Sequence, residues 1–393
     1  MSGKDTSRYN QRGVSASKGE VHAAIKNLDK GLYPLAFCKM LPDLVGGDPE
    51  YANIMHADTA GTKTSLAYIY WKETGDMSVW TDIIQDAIVM NIDDMACTGC
   101  VSNIILSSTI GRNKSLISGD VIKGVIQGTQ AFVDKMKALG IDLTLAGGET
   151  ADVGDIVRTI DVGITAFGRI KRSDAIVNDM QDGDVIVGLS SYGEATYEQR
   201  YNGGMGSNGL TSARHDILSS DYRVKYPESY DPHISKELIY CGSKKLTDEI
   251  VLGNGVTTTV GKLILSPTRT YIPILSNIIS QHKDQISGII HCTGGAQTKV
   301  LKFVKNKKIV KNNLLPIPPL FKMIEDESGT SRKEMYEVFN MGHRMEIYCN
   351  PSAAEDIILI SKKFNVEAQI VGYVENSESN QLVIQDSKGE YRY

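Results

Sequence analysis

The chain has 393 residues, of which 41% are hydrophobic, and its 42 basic and 47 acidic side chains give a formal net charge of -5. This composition is typical of a globular protein and excludes a disordered or collagen-like chain. The charge balance provides no broad attraction for a polyanion, so nucleic acid is not an expected partner. The length exceeds that of a usual single core and favours two domains.

Cysteine usage and hydropathy indicate a cytoplasmic protein. Of the six cysteines, only Cys97 and Cys100 are close, and no second pair completes a zinc site. Because this pair falls in a predicted amphipathic helix, two packed thiols are favoured over a redox centre. The sequence contains no apolar run of signal-peptide or membrane-span length, so no membrane partner is expected.

Hydrophobic periodicity predicts two α/β units in series. Residues 1–50 mix polar segments with glycine and proline and are interpreted as an N-terminal extension. The first domain is predicted at 51–168, with strands at 52–56, 103–108, 143–146 and 159–167 and helices at 81–97 and 119–139. A polar linker at 169–183 leads to a second domain at 184–393, which opens on a buried strand. Its further predicted elements are helices at 269–281, 319–326 and 352–363 and strands at 288–291, 344–348 and 367–374.

The first candidate cluster follows the strand at 52–56. It contains His56 and Asp58 and then Gly61, Thr62 and Lys63. A carboxylate, a tight glycine turn and a lysine at a strand end suit magnesium and phosphate. A solvated polar turn is the alternative, and the segment alone does not decide between them, because its spacing is not that of a phosphate-binding P-loop.

A second cluster lies on the helix at 81–97. At 100° per residue, Asp82, Asp86 and Asp93 fall within roughly 40° of one another, and Asp94 lies beside them. An acidic stripe is most often the solvated face of an amphipathic helix, and we take this as the favoured interpretation. Cation sharing by these carboxylates is the functional alternative.

Glycine-rich segments provide the remaining candidates. Gly147 and Gly148 lead to Glu149 at a predicted strand end, a common location of sites in α/β proteins, although an ordinary turn fits equally. The glycines of GGMGSNG at 203–209 satisfy G-x-G-x-x-G but do not follow directly on a strand, which argues against NAD. Within them, Ser207 and Asn208 are placed to cap the next helix and to offer amides to an anion.

Two segments of the second unit precede predicted helices. CTGG at 292–295 follows a strand and presents amides with the geometry that binds phosphate, or else simply starts a helix. SPTR at 266–269 is interpreted as a helix cap with a surface arginine. The sequence has neither GxSxG nor HExxH, so hydrolase and zinc-protease functions lack support.

The motifs ADTAGTK, DAIVMNIDDM, GGETAD, GSNGL, SPTRTY, CTGG and EMYEVFNMG occur in this order. In this order they resemble the aminoimidazole ribonucleotide synthetase family, also called phosphoribosylformylglycinamidine cyclo-ligase, from about residue 50 to the end. GGET is shared across the wider superfamily. The succession of SPTR, CTGG and EMYxxFNMG is characteristic of the synthetase.

The resemblance implies an α/β fold of the α+β type. It implies two domains, a homodimer whose first domains form a shared β-barrel, and ATP with Mg²⁺ in a cleft between the domains. Asp58, Asp94 and Glu149 match acidic positions implicated in metal and nucleotide binding, and Lys63 matches the lysine of the first motif. The implied catalytic residues are Asp58, Lys63 and Asp94. Nucleotide contacts are expected from these residues together with Gly61, Thr62, Gly147, Gly148, Glu149 and Thr150. Substrate contacts are expected from Ser207, Asn208, Gly209, Thr293, Gly294 and Gly295.

The implied activity belongs to purine biosynthesis in the cytoplasm. A ligase of this family phosphorylates the formyl oxygen of formylglycinamidine ribonucleotide with ATP, and the amidine nitrogen then closes the imidazole ring as phosphate leaves.

The sequence departs from the family pattern at several positions. Thr59 and Ala60 replace a glycine and a β-branched residue, Asp93 replaces an asparagine, and Gly206 replaces a histidine. An insertion falls near 192–206, and the early glycine-rich loop around Gly46 and Gly47 matches poorly. These departures leave open another superfamily enzyme, such as selenophosphate synthetase, thiamine monophosphate kinase or a hydrogenase maturation factor, or an inactive nucleotide-binding regulator. Cys38 lacks the sequence context of selenophosphate synthetase.

Overall fold

A computed structural model describes residues 8–14, 27–253 and 255–393, together with Gly19 and Ala24. Its strands β1 to β14 span Met40–Pro42, Tyr51–Thr59, Ile104–Arg112, Leu143–Asp152, Ile160–Lys171, Val185–Ser190, Glu249–Val251, Thr257–Thr259, Ile286–His291, Lys307–Lys311, His343–Cys349, Ala368–Asn376, Gln381–Asp386 and Gly389–Arg392. Its α-helices α1 to α11 span Arg8–Gln11, Lys63–Thr74, Ser78–Ala96, Gly119–Ala138, Leu210–Ile217, Asp221–Lys225, Val260–Ile264, Ile272–His282, Pro319–Ser328, Arg332–Val338 and Ala354–Lys363.

The first half forms a five-stranded sheet in the order β1-β2-β5-β3-β4. All neighbours are antiparallel except β3 and β4. The sheet packs on α3, and α4 packs on α3 in turn. Helix α4 buries Val121, Val125, Phe132 and Met136, whose spacings of four or seven residues place them on one face. Helix α3 is therefore covered by the sheet on one side and by α4 on another.

The second half forms a seven-stranded sheet in the order β14-β13-β10-β12-β6-β11-β9, and β7 and β8 form a separate hairpin. The central strands β6 and β11 are almost wholly buried, and β6 reads as the near-continuous apolar run VIVGLS. Strand β11 differs, because it carries the charged residues Arg344 and Glu346 within the core. Charges in a central strand require specific partners.

The mixed α/β fold expected from the sequence is confirmed. Several predicted boundaries are wrong. Strand β1 lies inside the predicted extension 1–50, because Met40, Leu41 and Pro42 pair with β2. Strand β5 runs to Lys171, inside the predicted linker. Helix α2, at Lys63–Thr74, was not predicted. Among the described residues, no helix is long and apolar enough to cross a membrane.

Candidate functional site

The acidic stripe of α3 joins the two halves of the molecule. Asp86 Oδ1 accepts hydrogen bonds from Thr268 N (2.9 Å) and from its hydroxyl. Asp93 accepts from Thr270 Oγ1 (2.6 Å) and from Tyr271 N (2.8 Å). Both carboxylates are fully buried, so the solvated-face interpretation is wrong for them. The segment 266–271 is likewise more than a helix cap, because it lies buried against these carboxylates and supplies their donors.

Lys63 belongs to the same interface. Its ammonium is fully buried and donates to Asp86 Oδ1 (2.7 Å) and to the Ser266 carbonyl (2.6 Å). Burial lowers the pKa of Lys63, an effect that Asp86 partly opposes. In this arrangement Lys63 faces the second half of the chain rather than an open nucleotide cleft. Its expected role in nucleotide binding stays a prediction.

Asp94 lies between two histidines at the junction of the halves. Its Oδ1 accepts from His291 Nδ1 (2.7 Å), at the end of β9, and its Oδ2 lies 3.4 Å from His56 Nε2 on β2. Burial raises the Asp94 pKa, but the His291 hydrogen bond and the nearby positive charges outweigh burial and bring it below its ordinary value. Asn91 fixes His56, because its Oδ1 lies 2.9 Å from His56 Nδ1. The buried His291 Nε2 has no hydrogen-bond partner among the described residues.

The two glycine-rich segments predicted to bind substrate lie together. A Cβ built on Gly294 would stand 3.5 Å from Asn208 Oδ1. Ser207, Asn208 and Thr293 line one small cavity with Met90 of α3. The predicted capping by Ser207 or Asn208 is wrong, because Gly209 is the N-cap of α5 with a φ of 79°. The left-handed conformation at this position favours glycine. Ser207 Oγ has no hydrogen-bond partner in the described structure.

The first-motif loop reaches the same region. Thr62 Oγ1 lies 2.8 Å from Thr211 Oγ1, on the first turn of α5. Gly61 precedes it in a left-handed conformation with a φ of 61°. The loop expected to bind nucleotide therefore adjoins the helix that follows the expected substrate loop.

The GGET segment lies elsewhere. Gly147, Gly148, Glu149 and Thr150 are exposed residues within β4, so the predicted strand end is wrong. A register shift in the β3–β4 pairing accompanies the left-handed Gly147, whose φ is 97°. The chain passes through this irregularity and continues as strand.

The expected metal ligands lie on three different elements: Asp58 on β2, Asp94 on α3 and Glu149 on β4. In the strand register, Asp58 of β2 pairs with Ile164 of β5, and Ile164 pairs in turn with Ser108 of β3. Ser108 pairs with Gly148 of β4, the residue before Glu149. Three interstrand spacings place the β2 and β4 backbones about 14 Å apart at this level. No group of three or more histidine, cysteine or acidic side chains in the described ranges is placed to hold a metal ion. The role of Asp58, Asp94 and Glu149 in holding a metal ion stays a prediction.

The insertion near 192–206 packs against the 266–271 segment, which contacts α3. Arg269, predicted at the surface, is fully buried and donates from Nε (3.0 Å) and Nη2 (2.5 Å) to the Glu198 carboxylate. Tyr197 donates its hydroxyl to the Thr270 carbonyl (2.6 Å), and Arg200 pairs with Asp82 of α3. The insertion thus covers the outer side of the interface between the halves.

Buried charges on β11 were missed by the motif search. Lys311 Nζ lies 2.5 Å from Glu346 Oε1 and donates to the Gln297 side chain at 2.9 Å. Gln297 Nε2 in turn donates to the carbonyls of Asn340 (2.7 Å) and His343 (3.0 Å). Gln297 lies two residues after Gly295, the last residue of the CTGG turn, so this network ties the end of the turn to β11. The charged run HRME in an apolar strand context was the available sequence signal.

The CxxC pair consists of two packed free thiols. Cys97 and Cys100 are both buried, and Cys97 Sγ lies 3.8 Å from Met345 Sδ. Burial raises the pKa of Cys100 to about 12. A thiol that is protonated at neutral pH is a poor nucleophile and a poor metal ligand.

Comparison with known proteins defines the class. The AIR synthase related protein N-terminal domain matches residues 40–170, and the C-terminal domain of the same family matches residues 181–385. The chain belongs to the AIR synthase related family, which confirms the resemblance seen in its motifs.

Individual relatives are more specific. The phosphoribosylformylglycinamidine cyclo-ligase of Sulfurisphaera tokodaii is 31% identical over 353 residues, covering 86% of this chain and 84% of that protein. The protein of the same name from Methanocaldococcus jannaschii is 27% identical over 335 residues, covering 84% of this chain and 79% of that protein.

Solved structures agree on the fold alone. Thiamine-monophosphate kinase from Stenotrophomonas maltophilia K279a matches with a TM-score of 0.50 and 13% identity, covering 94% of this chain and 96% of that one. PurL of T. maritima complexed with ADP matches with a TM-score of 0.49 and 13% identity over 87% of this chain. The present chain spans only 43% of that PurL chain.

Proposed function

We propose that this protein is an ATP-dependent cyclo-ligase that converts formylglycinamidine ribonucleotide to aminoimidazole ribonucleotide in the cytoplasm. The observation that carries the proposal is the meeting of three segments. Ser207 and Asn208 line one cavity with Cys292 and Thr293 and with Met90 of α3, and Asp94 of α3 binds His291 directly before the 292–295 turn. Family membership and the names of the relatives support the same reaction.

The reaction requires that an amide-type oxygen become a leaving group. Phosphorylation by ATP, which enters as a substrate with its bound Mg²⁺, supplies that activation. The amidine nitrogen then attacks the activated carbon and must lose a proton. His291 suits this step, because its Nδ1 donates to Asp94 and leaves Nε2 as the basic nitrogen. We place Asp94 as the carboxylate that orients His291 rather than as a member of a three-carboxylate metal site.

Substrate contacts are proposed for Ser207, Asn208, Gly209, Thr293, Gly294 and Gly295. Nucleotide contacts are proposed for Gly61 and Thr62, which adjoin α5. The exposed β4 residues Gly147–Thr150 lie about three strand spacings from Asp58, so a role in the same site requires a second subunit.

An exposed apolar face on the first sheet supports the proposal of a homodimer. Met55 is 66% exposed and Ile105 is 43% exposed, and both pair with Phe167 of β5. Because large apolar side chains aligned across three strands are costly in water, we propose that a second copy covers this face in a shared barrel. Sedimentation analysis should give a dimer for the wild type and a monomer for Met55→Lys combined with Ile105→Lys.

A coupled assay tests the reaction. Formylglycinamidine ribonucleotide, ATP and Mg²⁺ should yield aminoimidazole ribonucleotide, and heavy oxygen placed in the formyl group should appear in inorganic phosphate, one label for each ring closed. His291→Gln should lower kcat by about 100-fold or more, as for loss of a general base. Label released into water would exclude the phosphorylation mechanism. Phosphate release without imidazole would assign the chain to another enzyme of the superfamily.

A further inference from the structure

The N-terminal segment 8–14 docks on the second half of the chain. Arg12 in this segment is only 2% exposed. Its guanidinium forms two parallel hydrogen bonds with the Asp216 carboxylate of α5, from Nη2 to Oδ1 (2.7 Å) and from Nη1 to Oδ2 (2.8 Å). Its Nε donates to the Leu238 carbonyl (3.1 Å). Because a bidentate arginine–carboxylate pair is both strong and directional, it fixes the segment relative to α5.

The same guanidinium contacts α5 in its first turn as well as in its last. Arg12 Nη1 donates to the carbonyl (3.2 Å) and to the hydroxyl of Ser212. Ser212 and Asp216 are four residues apart, so they lie on one face of the helix. The Ser212 hydroxyl also donates to Asp216 Oδ2 (3.2 Å). Arg12 therefore sets both the position of α5 and its rotation about the helix axis.

Helix α5 begins where the expected substrate loop ends. Gly209 is its N-cap, and the Gly209 carbonyl accepts from the amides of Ser212 (3.2 Å) and Ala213 (3.0 Å). Ser207 and Asn208 directly precede this cap. A helix of eight residues is too short to be stable alone, so its geometry depends on the contacts that it makes. The placement of Ser207 and Asn208 therefore depends on what holds α5.

Arginines of the N-terminal segment supply the positive charge next to Asp216. Among the described residues, the cationic side chains that form ion pairs with Asp216 are Arg12 and Arg8, whose Nη2 lies 3.4 Å from Oδ1. Arg8 Nη1 also donates to the Ser328 carbonyl (2.7 Å) at the end of α9, a helix that packs on α5. Asp216 is only 3% exposed, and a buried carboxylate without a cation is costly. The charge of Asp216 thus favours the docked position of the segment over one in which the segment is released.

We propose that Arg12 is a positioning residue for substrate binding: it holds α5, and α5 holds the 207–209 loop. The identity of the substrate rests on the proposed cyclo-ligase function, whereas the contact between Arg12 and α5 does not. The AIR synthase N-terminal domain matches the chain from residue 40 onward, so Arg12 lies outside both matched domains. The N-terminal segment is then part of the substrate-binding apparatus and not only an extension that precedes the first sheet.

A double variant separates positioning from stability. Arg12→Met alone leaves the Asp216 charge buried with only Arg8 as a cationic partner, so it should lower the melting temperature. Arg12→Met combined with Asp216→Asn removes both charges together with the contact, and it should restore much of that loss. Because a misplacement of about 1 Å can cost about 100-fold, the double variant should still raise KM for formylglycinamidine ribonucleotide by about 10-fold. The kcat and the KM for ATP should change by less than about 2-fold, since the loss is one of substrate binding.

Amide hydrogen exchange tests the same contact without turnover. Exchange in residues 207–217 should be faster in the double variant than in the wild type, and unchanged in the first sheet. Arg332→Gln is the matched control, because Arg332 also forms two parallel hydrogen bonds with a carboxylate, that of Glu325 (2.9 and 2.6 Å), in the same half of the chain. It should leave exchange in 207–217 and KM for the ribonucleotide at wild-type values. Arg12→Lys keeps the charge but loses the planar fork, so its effects should be intermediate.

The two measurements together decide the proposal. Faster exchange in 207–217 with a KM raised for the ribonucleotide alone supports it. Unchanged exchange there in the double variant would overturn it. A KM for the ribonucleotide that recovers together with the melting temperature, or that rises equally with the KM for ATP, would also overturn it, because Arg12 would then act on stability only. Faster exchange in a protein whose wild type does not cyclise the ribonucleotide would support the hold of Arg12 on the loop and reject the proposed reaction.

Discussion

Among the described residues, two fully buried lysines form ion pairs, one lysine in each half of the chain. Lys311 and Glu346 lie within the second half, where His343 (2.9 Å) and Tyr348 (2.8 Å) also donate to the Glu346 carboxylate. Lys63 and Asp86 lie between the halves, and Asp86 Oδ2 has no partner among the described residues. The first pair has both carboxylate oxygens satisfied, and the second has only one.

The difference distinguishes an ion pair that fixes the local geometry from an ion pair that forms a weaker contact. Full satisfaction makes a buried network rigid and specific, whereas an unpartnered oxygen leaves part of the desolvation cost uncompensated. The Lys311 network holds the segment that follows the CTGG turn against β11, where a fixed geometry suits the proposed substrate contacts. The Lys63 pair holds the two halves together with one carboxylate oxygen unsatisfied, so we expect this contact to be the weaker of the two.

The largest effect is expected from Lys311→Met. This change leaves the Glu346 charge buried with only His343 and Tyr348 as partners, and it should lower the free energy of unfolding by about 3–5 kcal/mol. Urea unfolding, monitored by far-UV circular dichroism, would measure this loss of stability. Combining it with Glu346→Leu should recover much of the loss, because no unpaired charge then remains. A double variant no more stable than the single one would show that packing, not charge, dominates.

A smaller loss, of about 2–3 kcal/mol, is expected from Lys63→Met, since Thr268 N and Oγ1 still donate to Asp86. Because the pair bridges the halves, scanning calorimetry should show one transition split into two. Exposed Lys123→Met is the control and should leave the thermogram unchanged. A uniform downward shift without splitting would mean that Lys63 stabilises only its own half.

Acid should expose the Glu346 network. Burial raises the Glu346 pKa, but Lys311 and His343 outweigh burial and lower it to about 2. A depressed carboxyl pKa stabilises the fold above the unfolded value near 4.3, and this contribution is lost as pH falls toward about 2. Stability measured between pH 5 and pH 2 should therefore fall more steeply in the wild type than in Glu346→Gln. Parallel profiles would assign acid sensitivity to other groups.

The smallest effects should come from single hydroxyls on the two networks. Tyr348→Phe removes a donor to Glu346 and should cost about 1.5–3 kcal/mol, as for a hydrogen bond to a charged group. Thr268→Val removes the hydroxyl donor to Asp86 but keeps the backbone donor, so about 1 kcal/mol is expected. Chemical unfolding of both variants in parallel would give the order. A reversed order would contradict the greater rigidity assigned to the Lys311 network.

Sequence patterns predicted the fold where periodicity and local chemistry agree. The helix at 119–139 was predicted to within one residue, because an apolar face and a following glycine define it. The GGET strand was cut short at Ala146, because paired glycines indicate a turn although here they form an irregular strand. Helix α2 was not predicted, because the glycine-rich motif before it obscured the apolar periodicity of Leu66 and Tyr70 in the sequence.

The sequence predicted which segments form the candidate site better than it predicted the contacts between them. The 207–209 and 293–295 segments were expected to bind one substrate, and they adjoin in the structure. The buried contacts of Asp86 and Asp93 could not be foreseen, because helical periodicity shows which residues share a face but not what covers it. Arg344 was missed for a related reason: a charge in a strand signals a special environment without identifying its partner.

The contact between α3 and the 266–271 segment also limits how such proteins exchange parts. Asp86 and Asp93 take donors from Thr268, Thr270 and Tyr271, which lie on the other side of the 171–185 connection. A hybrid gene joined within that connection would combine α3 from one parent with 266–271 from another. Hybrids between distant relatives should therefore fold well only when both segments come from the same parent. The two segments must then be inherited together, although they belong to different halves of the chain.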